Sequence, residues 1–192
     1  MEDLSVKLSP YEVLPLSHEA GIIECIKDAI TIDEMRKRGV NLGSIMNNKY
    51  RKKNFLNSLV GYSLVTYFLQ VKDRHNGNIM IKSDGSLLHI DYGFFMTNMP
   101  GKGVELEKNL PFKLTNEYVD ALDGLDSKTF QDFRFLFYKA FNACRKHQHR
   151  IIILTKLMYS SYGRTMPCFI KGNESIEKLE QRFNPPGISN DA

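Results

Sequence analysis

The stretch Asp73-Arg74-His75-Asn76-Gly77-Asn78-Ile79-Met80, followed by Asp91-Tyr92-Gly93, decides how this chain is read. Residues 79–82 and 87–90 are two short apolar-rich runs joined by Ser83-Asp84-Gly85-Ser86. Asp-Gly is a strong hairpin signal, because the central positions of the tight turn need positive φ. With Asp84 and Gly85 as a two-residue turn, Asn78 falls opposite Asp91 across the open end of the ribbon. Directly opposed residues hold their Cβ atoms roughly 5 Å apart. An amide oxygen and a carboxylate side by side suit Mg²⁺, a hard cation that takes one or two side-chain oxygens and leaves its other positions to phosphates and water.

Asp73 precedes Asn78 by five residues. That is the Asp-x4-Asn separation of the protein-kinase catalytic loop, where the Asp takes the substrate hydroxyl proton and the Asn holds metal. Here the His follows the Asp. The inverted order Asp73-Arg74-His75-x-x-Asn78 resembles the phosphatidylinositol 3/4-kinase superfamily, and residues 70–80 are most similar to the type III phosphatidylinositol 4-kinases of the beta kind. Phe112-Lys113-Leu114-Thr115, Tyr118-Val119-Asp120, Ala143 with Arg145-Lys146-His147, Pro167-Cys168-Phe169 and Arg182-Phe183 follow in that family's order, so the resemblance runs from about Tyr11 to Phe183. An ordered set of this kind is specific where a lone Asp-Tyr-Gly is not.

The resemblance implies an α+β chain: a mostly helical C-lobe of a protein-kinase-like lipid kinase, with a short β-hairpin after the catalytic loop and the N-lobe largely absent. Residues 1–26 become the end of the N-lobe and the hinge, and 27–184 the C-lobe, with catalytic loop 73–78 and activation loop 91–115. Residues 185–192 become a disordered tail that opens with Pro185-Pro186-Gly187. The implied reaction moves the γ-phosphoryl group of ATP, with Mg²⁺ or in its place Mn²⁺, to the 4-hydroxyl of phosphatidylinositol. Asp73 would orient or deprotonate the hydroxyl, His75 would stabilise charge or assist the proton, and Asn78 and Asp91 would hold metal. Adenine would lie against Ile23, Glu24 and Ile26 of the hinge, over a floor of Met80 and Ile90. Without the downstream motifs, Ile23 and Ile26 would read simply as core.

The activation loop is nearly balanced in charge: Lys102 and Lys108 face Glu105 and Glu107, with Lys113 just after. Each extra phosphate on a headgroup adds roughly one and a half to two negative charges. A balanced loop therefore suits unphosphorylated phosphatidylinositol, whose phosphodiester Lys113 or Lys108 could meet. Arg74 is expected to be structural, pairing with a nearby carboxylate. His89 alternates with Leu88 and Ile90 and is expected to be a satisfied packing residue.

Composition sets wide bounds. With 42% hydrophobic and 25% charged residues in 192, the chain can bury one sizeable core. A net charge of +4 suits an anionic membrane surface but is equally common on proteins that touch neither lipid nor nucleic acid. Peripheral membrane contact and no nucleic-acid partner are expected. Cys25, Cys144 and Cys168 are odd in number and widely spaced, which fits a reducing compartment. No apolar run spans a bilayer and Met1-Glu2-Asp3 does not open a signal peptide. The resemblance places such an enzyme in the cytoplasm, on intracellular, Golgi-type membranes.

Along the chain, residues 11–16 and 21–24 read as strands around a turn at 17–20. Residues 36–53 carry seven Lys or Arg and no acid, and read as a solvated connection. Leu56, Leu59, Val60, Leu64, Tyr67, Phe68 and Val71 recur at helical spacing and predict a long amphipathic helix that runs into the catalytic loop. Ser127 caps a second helix with an aromatic stripe of Phe130, Phe133, Phe137 and Phe141, and residues 151–158 and 174–183 are further helices.

Three departures from the family stand out. Barely ten residues precede Tyr11, so Lys7 is not taken as the nucleotide lysine. The chain stops near Phe183, where the family continues into a final helix, and Tyr92 replaces the usual Phe. The alternatives are a catalytically inactive C-lobe serving as an interaction module, and a related protein kinase of the same superfamily.

Overall fold

The computed structural model describes residues 4–99, 110–163 and 165–186. Its axis is α3 (Lys49–Leu69), 21 residues long. Asn48 starts this helix by accepting the Arg51 N–H on its side chain, which satisfies a donor with no partner inside the helix. The apolar positions 56, 59, 60, 64 and 68 are buried as expected, but Phe55, Ser58, Gly61, Tyr62, Ser63 and Thr66 are buried too. The amphipathic reading is corrected: α3 is enclosed on most sides. Its small and hydroxyl-bearing residues let neighbours approach where a charged outer face was expected. At Gly61 a Cβ would lie 2.6 Å from the Lys7 carbonyl oxygen, because the N-terminal segment crosses the helix there.

That segment is held at two further points. Ser9 N–H donates to the Tyr62 hydroxyl at 3.1 Å, and the Lys7 ammonium pairs with Asp84 at 2.7 Å. After it, β1 (Val13–Pro15) and β2 (Gly21–Ile23) form a two-stranded antiparallel sheet with Val13 opposite Ile23. This is the hairpin read from the sequence, with shorter strands.

A second sheet carries three strands. β4 (Ile79–Lys82) and β5 (Leu87–His89) form the expected hairpin, and β3 (Ala29–Thr31) adds to the far edge of β4. β3 escaped the sequence reading because three residues carry too little pattern. The hairpin register differs from the expected one. Ile79 pairs with His89 and Ile81 with Leu87. Lys82 N–H donates to Ser86 O at 2.8 Å, so the loop is residues 83–85, with Gly85 alone at positive φ, +87°. The Asp84 carboxylate is engaged by the Ser86 N–H and Lys7, and the turn takes the three-residue form that ends in a left-handed glycine. Asn78 consequently faces Ile90, whose N–H it accepts at 3.0 Å, and Asp91 lies one residue beyond.

The basic stretch 36–53 is more ordered than a connection. It contains the end of α1 (Ile32–Lys37), all of α2 (Leu42–Ile45) and the start of α3. Thr31 and Asn41 cap the two short helices. Arg36 pairs with Glu117, Lys37 with Asp33, Arg38 with Glu34 and Lys52 with Asp123, so much of the positive charge is neutralised by acids outside the run or just before it.

The C-terminal half is helical: α4 (Asn116–Ala121) capped by Thr115, α5 (Lys128–Lys146) capped by Ser127, α6 (Gln148–Tyr162), a 3-10 turn at Pro167–Phe169, and α7 (Asn173–Phe183). Neither α4 nor the 3-10 turn was anticipated. Phe68 of α3 stacks on Phe183 of α7 at 4.3 Å and on Phe141 of α5 at 5.5 Å between ring centroids, which locks three helices together. Tyr67 and Arg182 bond reciprocally across α3 and α7, each to the other's carbonyl. No described helix is long and apolar enough to cross a membrane. Of the expected disordered tail, residues 187–192 lie outside the described residues.

Candidate active site

The site begins where α3 stops. Gln70, at φ +52°, ends the helix in the left-handed region, and Val71 buries itself to turn the chain into residues 72–78. Lys72 N–H donates to Phe94 O at 2.9 Å, which ties this loop to the segment after Asp91-Tyr92-Gly93. On the other flank, Asp33 N–H of α1 donates to Asn76 O at 3.1 Å. The loop is gripped from both sides, as a reactive carboxylate requires.

Inside it, three expected residues are brought together. Asn78 is 6% exposed, and its amide nitrogen donates to the Asp73 carbonyl at 3.0 Å. That bond uses the nitrogen end, so the amide oxygen is the end that could serve as a ligand. His75 is exposed, with Nε2 3.9 Å from the Asp73 carboxylate, too far for a hydrogen bond. Its Nδ1 accepts the Gly77 N–H at 3.0 Å, which puts the proton of a neutral ring on Nε2, the nitrogen turned to Asp73. Gly77 is required for this: a Cβ there would lie 2.9 Å from His75 Cε1.

Asp91 follows β5 with φ +56°, and Asp73 has φ +60°. In a regular strand Asp91 would share the face of buried His89. The left-handed turn breaks that alternation, and Asp91 is exposed. Its Oδ1 accepts the Gly93 N–H at 3.1 Å. The donor set offered by Asn78 and Asp91 is thus one amide oxygen and one carboxylate, hard oxygens of the kind Mg²⁺ selects.

Arg74 holds the two halves. It is 1% exposed and donates to the carbonyls of Lys72 at 2.9 Å, Ile90 at 2.8 Å and Asp91. These hydrogen bonds run to backbone oxygens, and they fasten the Asp91 backbone directly to the 73–78 loop. A charged guanidinium makes stronger hydrogen bonds than a neutral donor, and its planar fork reaches several acceptors at once. It also lies 5.6 Å from the Tyr92 ring, whose hydroxyl donates to His89 O at 3.3 Å. The Tyr-for-Phe departure is therefore accommodated.

Lys113 is also recruited to the loop. Its ammonium donates to Arg74 O at 2.6 Å and to Asn76 Oδ1 at 3.1 Å. Residues 110–115 around it line a groove of about 440 Å³. Lys102 and Lys108 lie outside the described residues. On the hinge side, Ile26, Met80 and Ile90 are half-buried at the margin of the core, whereas Ile23 is 66% exposed and Glu24 is exposed. The Glu24 N–H is bonded to Glu12 O at 2.9 Å, and its carboxylate accepts the Glu12 N–H.

His89 was given no role in the sequence reading. It is buried, stacked on Tyr62 with ring centroids 4.8 Å apart, and its Nδ1 has no hydrogen-bond partner among the described residues. Burial, with the nearby charges of Arg74 and Lys113, lowers its pKa to about 3, so it is neutral at physiological pH. No sequence pattern could separate this from an ordinary strand histidine.

A mixed helical and small-sheet chain with a gripped Asp-Arg-His-x-x-Asn loop is consistent with an α+β lipid-kinase fold. The family model described as Phosphatidylinositol 3- and 4-kinase matches residues 43–162, and the chain belongs to that family. It is 40% identical to phosphatidylinositol 4-kinase beta 2 of Arabidopsis thaliana, over 94% of this chain and 17% of the relative. To the phosphatidylinositol 4-kinase of Dictyostelium discoideum it is 39% identical over 94% of this chain and 16% of that one. To phosphatidylinositol 4-kinase beta of Danio rerio the identity is 34%, over 95% and 23%. The chain therefore spans less than a quarter of the length of these relatives.

Proposed function

We propose that this chain is the hinge and C-lobe of a phosphatidylinositol 4-kinase catalytic domain, in which the γ-phosphoryl group of ATP passes to the 4-hydroxyl of phosphatidylinositol. The division is residues 1–26 as hinge and end of the N-lobe, 27–184 as C-lobe and 185–192 as tail. The observation that carries the reading is the Arg74 fastening, which couples the Asp73–Asn78 loop to Asp91 by bonds to Ile90 O and Asp91 O. Five large apolar residues of the first hairpin, Val13, Leu14, Leu16, Ile22 and Ile23, are 55–66% exposed, which suits a piece of sheet that further residues cover.

In this reading the inositol hydroxyl is held by the Asp73 carboxylate, which accepts its proton as the oxygen attacks the γ-phosphorus and ADP leaves with the β–γ bridging oxygen. His75, with its Nε2 proton turned to the same place, donates to the transferring group or relays the proton. Asn78 and Asp91 would hold Mg²⁺, which would supply positive charge to offset the charge that develops on the transferring phosphoryl group. Adenine rests between Ile23, Glu24 and Ile26 and the floor of Met80 and Ile90. Lys102, Lys108 and Lys113 read the lipid phosphodiester. The setting is cytoplasmic and peripheral on Golgi-type membranes.

The test is ATP-dependent phosphorylation of phosphatidylinositol in vesicles by the protein at the full length its gene encodes, with the product position identified chemically and with Asp73→Asn and Asp91→Ala as controls. Turnover giving the 4-phosphate is expected, lost in both variants while their circular dichroism and melting stay near those of the parent. Retained turnover in Asp91→Ala would remove its metal role. A folded but inactive parent would favour an interaction module.

A further inference from the structure

Thr97 and Ser175 form a buried hydroxyl pair far apart in sequence, 5% and 1% exposed. Thr97 Oγ1 donates to the Cys168 carbonyl at 2.9 Å, and Thr97 N–H donates to the same oxygen at 3.3 Å. A hydroxyl has one proton to give. The 2.5 Å contact between Thr97 Oγ1 and Ser175 Oγ must therefore carry the Ser175 proton, and the chain runs Ser175 to Thr97 to Cys168. Just before it, Met96 is buried with φ +53°, in a backbone region that a non-glycine residue occupies only when its surroundings hold it there. Met96 N–H donates to Leu69 O at 2.6 Å.

We infer that this hydroxyl chain fixes the course of the backbone leaving Asp91-Tyr92-Gly93, making Thr97 and Ser175 positioning residues for phosphoryl transfer to the lipid. The inference rests on the lipid-kinase reading above for its functional half. Residues 94–97 are stitched to Lys72 through Phe94 O, to the end of α3 through Met96 N–H, and to α7 and the preceding 3-10 turn through Thr97. α7 is in turn locked to α3 by the Phe68–Phe183 stack. The C-terminal helix thus reaches the segment that follows Asp91 through the Ser175–Thr97 hydroxyl pair.

The experiment compares Thr97→Val, Ser175→Ala and the conservative Thr97→Ser, in the protein at the full length its gene encodes. Hydrogen exchange is read at amides 96–98, with those of β4 as control, alongside kcat and KM for phosphatidylinositol and for ATP. Thr97→Val and Ser175→Ala should each speed exchange at 96–98 by about tenfold, the usual coupling of buried hydrogen-bond partners. β4 should be unchanged, lipid turnover should fall comparably, KM for ATP should hold, and Thr97→Ser should restore both readouts. Unchanged exchange would overturn the anchor. Faster exchange with unaltered lipid turnover would overturn the positioning role. A parent without lipid turnover would defeat the kinase reading and the positioning role with it, while the exchange data would still decide the anchor.

Discussion

Lowering the pH from about 7 to about 5 should destabilise this protein through His89. In the fold its pKa is depressed to about 3 from 6.5, by burial first and then by the charges of Arg74 and Lys113. Between those values the unfolded chain binds a proton that the native state refuses, so stability rises with pH there. The contribution is complete above the unfolded value and is lost as pH falls toward the folded one. Each pH unit below 6.5 costs about 1.4 kcal/mol, so about 2 kcal/mol is gone at pH 5. That is a large share of the 5–15 kcal/mol typical of a domain. Asp84 does not confuse the window. Burial alone would raise its pKa, but the Lys7 ammonium and the Ser86 donors outweigh that and hold it at about 2, so its effect begins only below 3.8. Urea unfolding followed by circular dichroism at the two pH values, for the parent and for His89→Gln, isolates the effect. The other four histidines are common to both proteins and cancel in the difference. The parent should lose about 2 kcal/mol more than the variant on acidification. Equal losses would show that His89 is protonated in the native state and that its burial has been misread.

Three further substitutions probe the scaffold. Ser58→Ala removes the oxygen that accepts Leu87 N–H at 2.8 Å, which orphans a buried backbone donor in the β4–β5 hairpin; a loss of about 1–3 kcal/mol by urea unfolding is expected, and a neutral result would mean the hairpin shifts to find another acceptor. Gly61→Ala puts a methyl group 2.6 Å from Lys7 O and should expel the N-terminal segment from α3, at about 1–3 kcal/mol, with faster proteolysis near residues 4–10 as the readout. Lys113→Met separates two roles for that amine: a rise in KM for phosphatidylinositol alone would mark a headgroup contact, whereas a fall in kcat alone would mark its bonds to Arg74 O and Asn76 as what orders the loop.

The sequence exposed the parts of this fold that local chemistry determines. Helix starts at Ser127 and near Glu174, the long helix before Asp73 and the hairpin after it all follow from capping residues and periodicity. What escaped depends on distant partners. The register moved by one because Asp84 is engaged by Lys7, 77 residues away, and by Ser86, not because its local turn signal was weak. The basic run looked solvated because its acids, Glu117 and Asp123, come from α4 and just after it. α3 looked amphipathic because Ser58, Gly61 and Ser63 read as polar or neutral positions, and nothing local shows that the N-terminal segment crosses Gly61 or that Leu87 of β5 bonds to Ser58.

The register change also alters how the site is assembled. A two-residue turn would have set Asn78 and Asp91 directly opposite, with the hairpin ladder alone fixing their separation. In the observed register that place belongs to Ile90, and Asp91 sits beyond the last strand residue at positive φ. Aspartate tolerates the left-handed region better than most residues because its short side chain can bond locally, and Asp91 does so to Gly93 N–H. Left-handed single residues are not held by a ladder, so something else must fix the Asp91 backbone. Arg74 does this through the two consecutive carbonyls of Ile90 and Asp91. In this chain the placement of Asp91 against the Asp-Arg-His-x-x-Asn loop therefore rests on the arginine between the Asp and the His rather than on strand pairing. That is a physical reason for an arginine to sit inside the Asp-Arg-His triplet.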